Sequence, residues 1–150
     1  MSYTTSALVT SSTLTAAREE PDVQEFLDRL AWALTSGNGK AAAGLWAIPA
    51  VMIADDVVHT IIDRSELERV FNDARRHYAE RGIIDTHGEI QRVEWLTDRI
   101  ALVDVRWPHF NSKGNESGEE WSTYTLRRDD HGMLRLHVAV TRDHQDAFAR

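Results

Sequence analysis

The hydrophobic period of this chain changes once along its length, and the order of the two regimes limits the fold more than any single motif does. From Asp22 to Arg81 the apolar residues recur at helical spacing. From about Ile83 to Thr141 they alternate with polar residues, in long runs separated by turn chemistry. Helices followed by a meander of strands specify an α+β fold, in which a curved, mostly antiparallel sheet buries one face under three N-terminal helices. Curved sheets covered in this way often enclose a hollow, so the pattern says more about architecture than about what fills it.

Composition narrows the function classes. The 150 residues suit one domain with a real core. A net charge of −7 repels phosphate backbones and acidic lipid surfaces, which argues against nucleic-acid and membrane partners. There are no cysteines, so disulfides, thiolate metal sites and a cysteine nucleophile are excluded. The N-terminal stretch lacks the basic start and continuous apolar run of a signal peptide, and the expected location is the cytoplasm.

Residues 1–21, rich in Ser and Thr, read as an N-terminal tail or arm; residues 22–142 form the domain and 143–150 a C-terminal tail. The first helix is expected to start near Pro21 or Asp22, with Val23, Phe26, Leu27, Leu30 and Leu34 as its buried stripe and Gly37 as its end. A short second helix is expected over 40–47, stopping before Pro49. Strands at 50–54 and 57–62 flank an Asp55-Asp56 turn. Asp63 and Glu66 have capping-box spacing ahead of a third helix that Gly82 closes. Strands are predicted at 84–96, 99–110, 119–128 and 133–142, joined as antiparallel hairpins.

Several phrases resemble the nuclear transport factor 2-like superfamily, which includes polyketide-cyclase-like (SnoaL-like) proteins, ketosteroid isomerase, scytalone dehydratase and limonene epoxide hydrolase. They are Gly37 with Gly44-Leu45-Trp46, Ile62-Asp63-Arg64-Ser65-Glu66-Leu67, the run Arg99 to Val105, and Tyr124 to Arg128 with Gly132 to Leu136. The resemblance covers about residues 22–141. It implies a cystatin-like cone with an internal pocket and, commonly, a homodimer; it does not imply one activity. Relatives' catalytic groups are missing where they would be expected. Leu30 replaces the isomerase tyrosine, Ala54 followed by Asp55 stands at the position of its base, and Trp121 and Tyr124 occupy the region of its helper aspartate. Asp104 and Arg106 look like part of the epoxide hydrolase's group, but they alternate with Val103, Val105 and Trp107.

That alternation decides which residues are candidates. Ala101, Val103, Val105, Trp107 and His109 share one face of their strand, and burying unpaired Asp104 or Arg106 instead would cost on the order of several kcal/mol. The apolar row should therefore face the helices and carry His109 toward the open end. There it suits proton transfer or the holding of a ligand oxygen; the plainer reading is a rim histidine bonded to loop backbone. Asp55 is a candidate base at the pocket mouth or simply a solvated turn residue.

Trp46, Met52, Tyr78, Trp107 and Tyr124 are candidate pocket liners. They suit a small, mostly apolar or aromatic molecule, or else are ordinary core. No cofactor is implied, and the seven histidines form no short metal-ligand pattern. Leu102, Phe110, Trp121 and Thr123 fall on the outer sheet face, where an apolar patch would favour dimerisation. Three functions remain open: ligand binding, acid–base catalysis (isomerase, dehydratase or cyclase) on a small organic substrate, and a dimeric interaction module.

Overall fold

A computed structural model describes residues 5–142. The C-terminal tail expected at 143–150, like residues 1–4, lies outside the described residues. In chain order the elements are α1 (Thr5–Ser36), α2 (Gly39–Ala43), β1 (Trp46–Ala54), β2 (Val57–Ile61), α3 (Arg64–Asn72), α4 (Ala74–Glu80), β3 (Asp85–Thr86), β4 (Glu89–Trp95), β5 (Ile100–Phe110), β6 (Glu116–Arg128) and β7 (Leu134–Arg142). The seven strands make one mixed sheet in the order β2-β1-β7-β6-β5-β3, with β4 also paired to β5. All pairings are antiparallel except β1 with β7, which is parallel.

The inner face is the one the alternation specifies. Ala101, Val103 and Val105 are fully buried and Trp107 is 4% exposed, while Leu102, Asp104 and Arg106 keep partial exposure. Across the sheet the register aligns Met52, Ala139, Tyr124 and Val103 in one inner row. The α1 stripe of Val23, Phe26, Leu27 and Leu30 belongs to the same core cluster. Arg106, on the outer face, is held by Glu89 at 3.0 Å, Glu119 at 2.9 Å and Glu116.

The sheet is bent at two adjacent irregularities. The pairing of β6 with β7 slips between Thr125 and Leu126, and that of β1 with β7 slips between Trp46 and Val51. An extra residue in one strand of a pair sharpens local twist and bend, which is how the sheet curls around the helices. On β7 it also switches parity: Leu134 and Leu136 are buried before the slip, Ala139 after it.

Five local expectations are corrected. The first helix begins at Thr5, with Pro21 inside it, and not near Pro21 or Asp22 as expected. Proline removes one N–H from the ladder, but its fixed φ is helical, so Pro21 does not have to mark a start. The second helix ends at Ala43, not 47, because the chain is already a strand at Trp46; Pro49 is accommodated where the β1 pairing is irregular.

The third helix divides at Asp73 into α3 and α4. The expected strand at 84–96 breaks at His87-Gly88, where a Cβ on Gly88 would stand 3.1 Å from Leu27 and 3.2 Å from Trp107. There the backbone has to pass directly against the core. The Asp63 cap forms, its carboxylate accepting from Ser65 N–H at 2.9 Å, but Glu66 binds His59 at 2.6 Å and does not close the box.

Candidate functional site

The inner rows of β5 and β6 converge with α4 at one end of the sheet. His109 pairs in register with Gly118, and Trp107 with Glu120, so Glu120, Ser122 and Tyr124 share the face of the β5 row. His109 is 1% exposed. Its Nε2 lies 3.6 Å from Oε1 of Glu120, and its ring centroid is 5.9 Å from that of Tyr78 on α4. Arg81, just past the end of α4, donates to the same Glu120 oxygen at 3.4 Å. Behind this group the Trp107 indole N–H donates to the Tyr124 hydroxyl at 3.0 Å, and Thr86 anchors β3 by donating to the Pro108 carbonyl at 2.8 Å.

Electrostatics assigns states to the two phenols. Burial pushes Tyr78 well above its ordinary pKa, and the nearby Glu120 carboxylate adds to the effect. Burial also pushes Tyr124 up, to about 12, against hydrogen bonds from Ser122 and Trp107 that favour its anion. Both are therefore neutral hydroxyls at physiological pH. A buried imidazole, a carboxylate within reach and neutral phenols can hold a polar ligand atom or move a proton. Among the described residues no group of three His, Cys, Asp or Glu side chains could hold a metal ion.

The expected residues are only partly brought together. Trp107, His109, Tyr78 and Tyr124 gather at this end, and Met52 is half-buried on the inner row two strands from Tyr124. Trp46 is elsewhere. It begins β1 at the far end of the sheet and packs on Phe71, ring centroids 5.9 Å apart.

Asp55 is exposed in the β1–β2 turn. Three strand steps separate it from β5, about 14 Å at the usual spacing, so it is not His109's partner. Sequence reasoning missed Glu120, Arg81, Ser122 and Thr86. Glu120 was findable, since it shares strand parity with Tyr124.

The outer face also differs in detail from the sequence reading. Trp121 lies under the Arg142 guanidinium at 5.8 Å and donates to Glu119, and Phe110 stacks on His87 at 5.2 Å. The apolar part of that face lies instead on β1, β2 and β7, where Val51, Ile53, Val58, Val138 and Val140 are all at least partly exposed and adjacent in register.

Comparison with known proteins supports the architecture. No curated protein matches the chain. Among solved structures, a domain of unknown function with a cystatin-like fold from Nostoc punctiforme is 17% identical, covers 88% of this chain and 83% of its own, and superposes with a TM-score of 0.67. A Catenulispora acidiphila protein in complex with S-DNPA is 16% identical, with coverage of 89% and 99% and a TM-score of 0.67. A ketosteroid isomerase-like protein from Erwinia carotovora atroseptica is 15% identical, with coverage of 83% and 95% and a TM-score of 0.60.

These likenesses establish the cystatin-like fold. No described helix is long and apolar enough to cross a membrane. Since a family model described as NTF2-like protein (DUF6841) matches residues 18–144, the chain belongs to that NTF2-like family.

Proposed function

We propose that the concave face binds a small, mostly apolar molecule through one polar group seated against His109, Glu120 and Tyr78. The observation that carries this reading is the imidazole, buried to 1% exposure with a carboxylate 3.6 Å from Nε2, at the end of an otherwise apolar wall. Placing a titratable ring there costs desolvation that an aliphatic side chain would avoid. Tyr78 and Glu120, the neighbours of the buried ring, keep partial exposure, as does Met52. The Catenulispora protein of similar fold is solved in complex with S-DNPA, which supports a ligand-binding reading.

The His109–Glu120 pair also favours a second reading, acid–base catalysis, with Glu120 and not Asp55 as the carboxylate beside the imidazole. One probe separates the two. 2-Tetralone has an aromatic body and one carbonyl. Its binding, followed by tryptophan fluorescence, should weaken about tenfold in Glu120→Gln and His109→Ala, a loss of ~1.4 kcal/mol of binding energy. Equal affinity in wild type and both variants, or no binding, would overturn the site. If the pair is catalytic, the wild type will also speed exchange of the ketone's α-hydrogens for deuterium in D2O, with the carbon proton passing to the pair and a deuteron returning. Binding without faster exchange leaves a ligand-binding protein.

We further infer that two copies associate through the outer sheet face. Val51, Ile53, Val58, Val138 and Val140 form a β-branched patch on the face opposite the core. Val140→Arg is expected to give a protein of half the wild-type mass by light scattering with an unchanged circular dichroism spectrum. A wild type that is already monomeric at micromolar concentration would refute the interface.

A further inference from the structure

We propose that a groove at the other end of the sheet is a second binding site, for an organic anion with a flat aromatic body. On β6, Glu120 of the His109 group and Arg128 of this groove are eight residues apart, about 26 Å of extended strand. The groove has a volume of about 520 Å³, within the range of small-molecule sites. Its walls come from three parts of the chain: the exposed side of α1, the α2–β1 junction and the β6–β7 hairpin. The proposal does not rest on the reading of the concave face.

The lining combines two features that a solvated helix face would not need together. One is apolar and uncovered. Trp32 is 57% exposed and Met133 is 46% exposed, with Phe26 between α1 and the core below them. The other is charged. Arg29 of α1, Arg128 of β6 and Arg135 of β7 reach the groove from separate elements, and Asp22 and Glu25 of α1 line it beside them.

Arg128 and Arg135 are fixed pieces of wall. Arg128 pairs with Asp22 at 3.2 Å and lies over the Trp95 ring at 5.2 Å. Arg135 pairs with Asp129 at 3.2 Å and donates to the Gly44 carbonyl.

Arg29 is the movable cation. It pairs with Glu25, four residues back on the helix at 2.6 Å, and both side chains are more than half exposed. Such a pair is worth under about 1 kcal/mol, so a ligand carboxylate can replace Glu25 at little cost. A guanidinium takes a carboxylate through two parallel N–H bonds, a geometry that selects a planar anion over a point charge. The aromatic body then lies along Trp32, three residues and one helical turn from Arg29, covering the exposed indole.

The test uses 2-naphthoate, with neutral 2-naphthamide and cationic 2-naphthylmethylamine as controls, by calorimetry on the full chain. Naphthoate is expected to bind at least about tenfold more tightly than either control, and Arg29→Gln to erase that preference. Trp32→Ala should weaken naphthoate and naphthamide alike. Arg29 and Trp32 are exposed, so circular dichroism should show both variants folded. Glu120→Gln separates the two sites: it should leave the naphthoate affinity as it is. The proposal is overturned if the three probes bind equally, if Arg29→Gln keeps the preference, if Glu120→Gln abolishes binding, or if naphthoate gives no heat at millimolar concentration.

Discussion

Replacing Gly39 with alanine is expected to destabilise the protein by about 3 kcal/mol or more, although alanine is the better helix former by roughly 1 kcal/mol. Gly39 opens α2, and its N–H donates to the Asn72 side-chain oxygen at 2.8 Å. A Cβ built there would lie 2.1 Å from the carbonyl oxygen of Glu68 and 2.5 Å from Asn72 Oδ1. The first of these is backbone and cannot rotate away. Helices α2 and α3 would have to separate, uncovering Leu67, which is fully buried.

Gly44 provides the control. It has ordinary helical φ of −67°, and its nearest contact for an added Cβ is 3.4 Å. Gly44→Ala should therefore be neutral or slightly stabilising. Urea unfolding of the two variants measures the contrast, and a Gly39→Ala protein as stable as wild type would show that α2 is not clamped on α3.

Tyr124→Phe is expected to cost about 1–3 kcal/mol, because it leaves the buried Trp107 indole N–H without its acceptor. Removing both partners, as in the Trp107→Phe, Tyr124→Phe double variant, should cost less than the sum of the single changes. Equal additivity would mean that the bond contributes nothing of its own.

The same residue gives stability a pH dependence. An unfolded tyrosine loses its proton near pH 10, whereas the folded Tyr124 keeps it to about 12. Above pH 10 the folded state thus binds more protons than the unfolded one. The contribution is complete below pH 10 and is lost as pH rises through about 12. Wild type should lose stability more steeply than Tyr124→Phe between pH 9.5 and 11.5; parallel curves would show that Tyr124 is not held neutral by burial.

Much of this molecule was legible residue by residue. Asp63 reads as a helix cap and forms one, because a short acceptor side chain can satisfy a first-turn N–H wherever it precedes a helix. Ala101, Val103, Val105 and Trp107 read as the inward row because only one parity of their strand avoids burying charge. The helix through Pro21 was not legible, since proline and a Ser/Thr-rich stretch are boundary signals that a helix can nevertheless absorb. Nor was the partner of His109. The parity of Glu120 was readable, but which carboxylate would meet the imidazole depended on hairpin register, and that register slips between His109 and Phe110.

From its sequence alone, the chain determined the order of helices and strands beyond Asp22, the buried face of β5 and the α1 stripe of Val23, Phe26, Leu27 and Leu30 in the apolar core. These follow from periodicity and local hydrogen bonding, which act over a few residues. Tertiary structure decided the parallel pairing of β1 with β7, the meeting of α4 with the β5–β6 hairpin at Tyr78, His109 and Glu120, and the groove where Asp22 meets Arg128 across 106 residues. Those contacts join segments far apart in the chain, and their geometry is set by sheet register and bend, for which no local pattern of residues carries a unique signal.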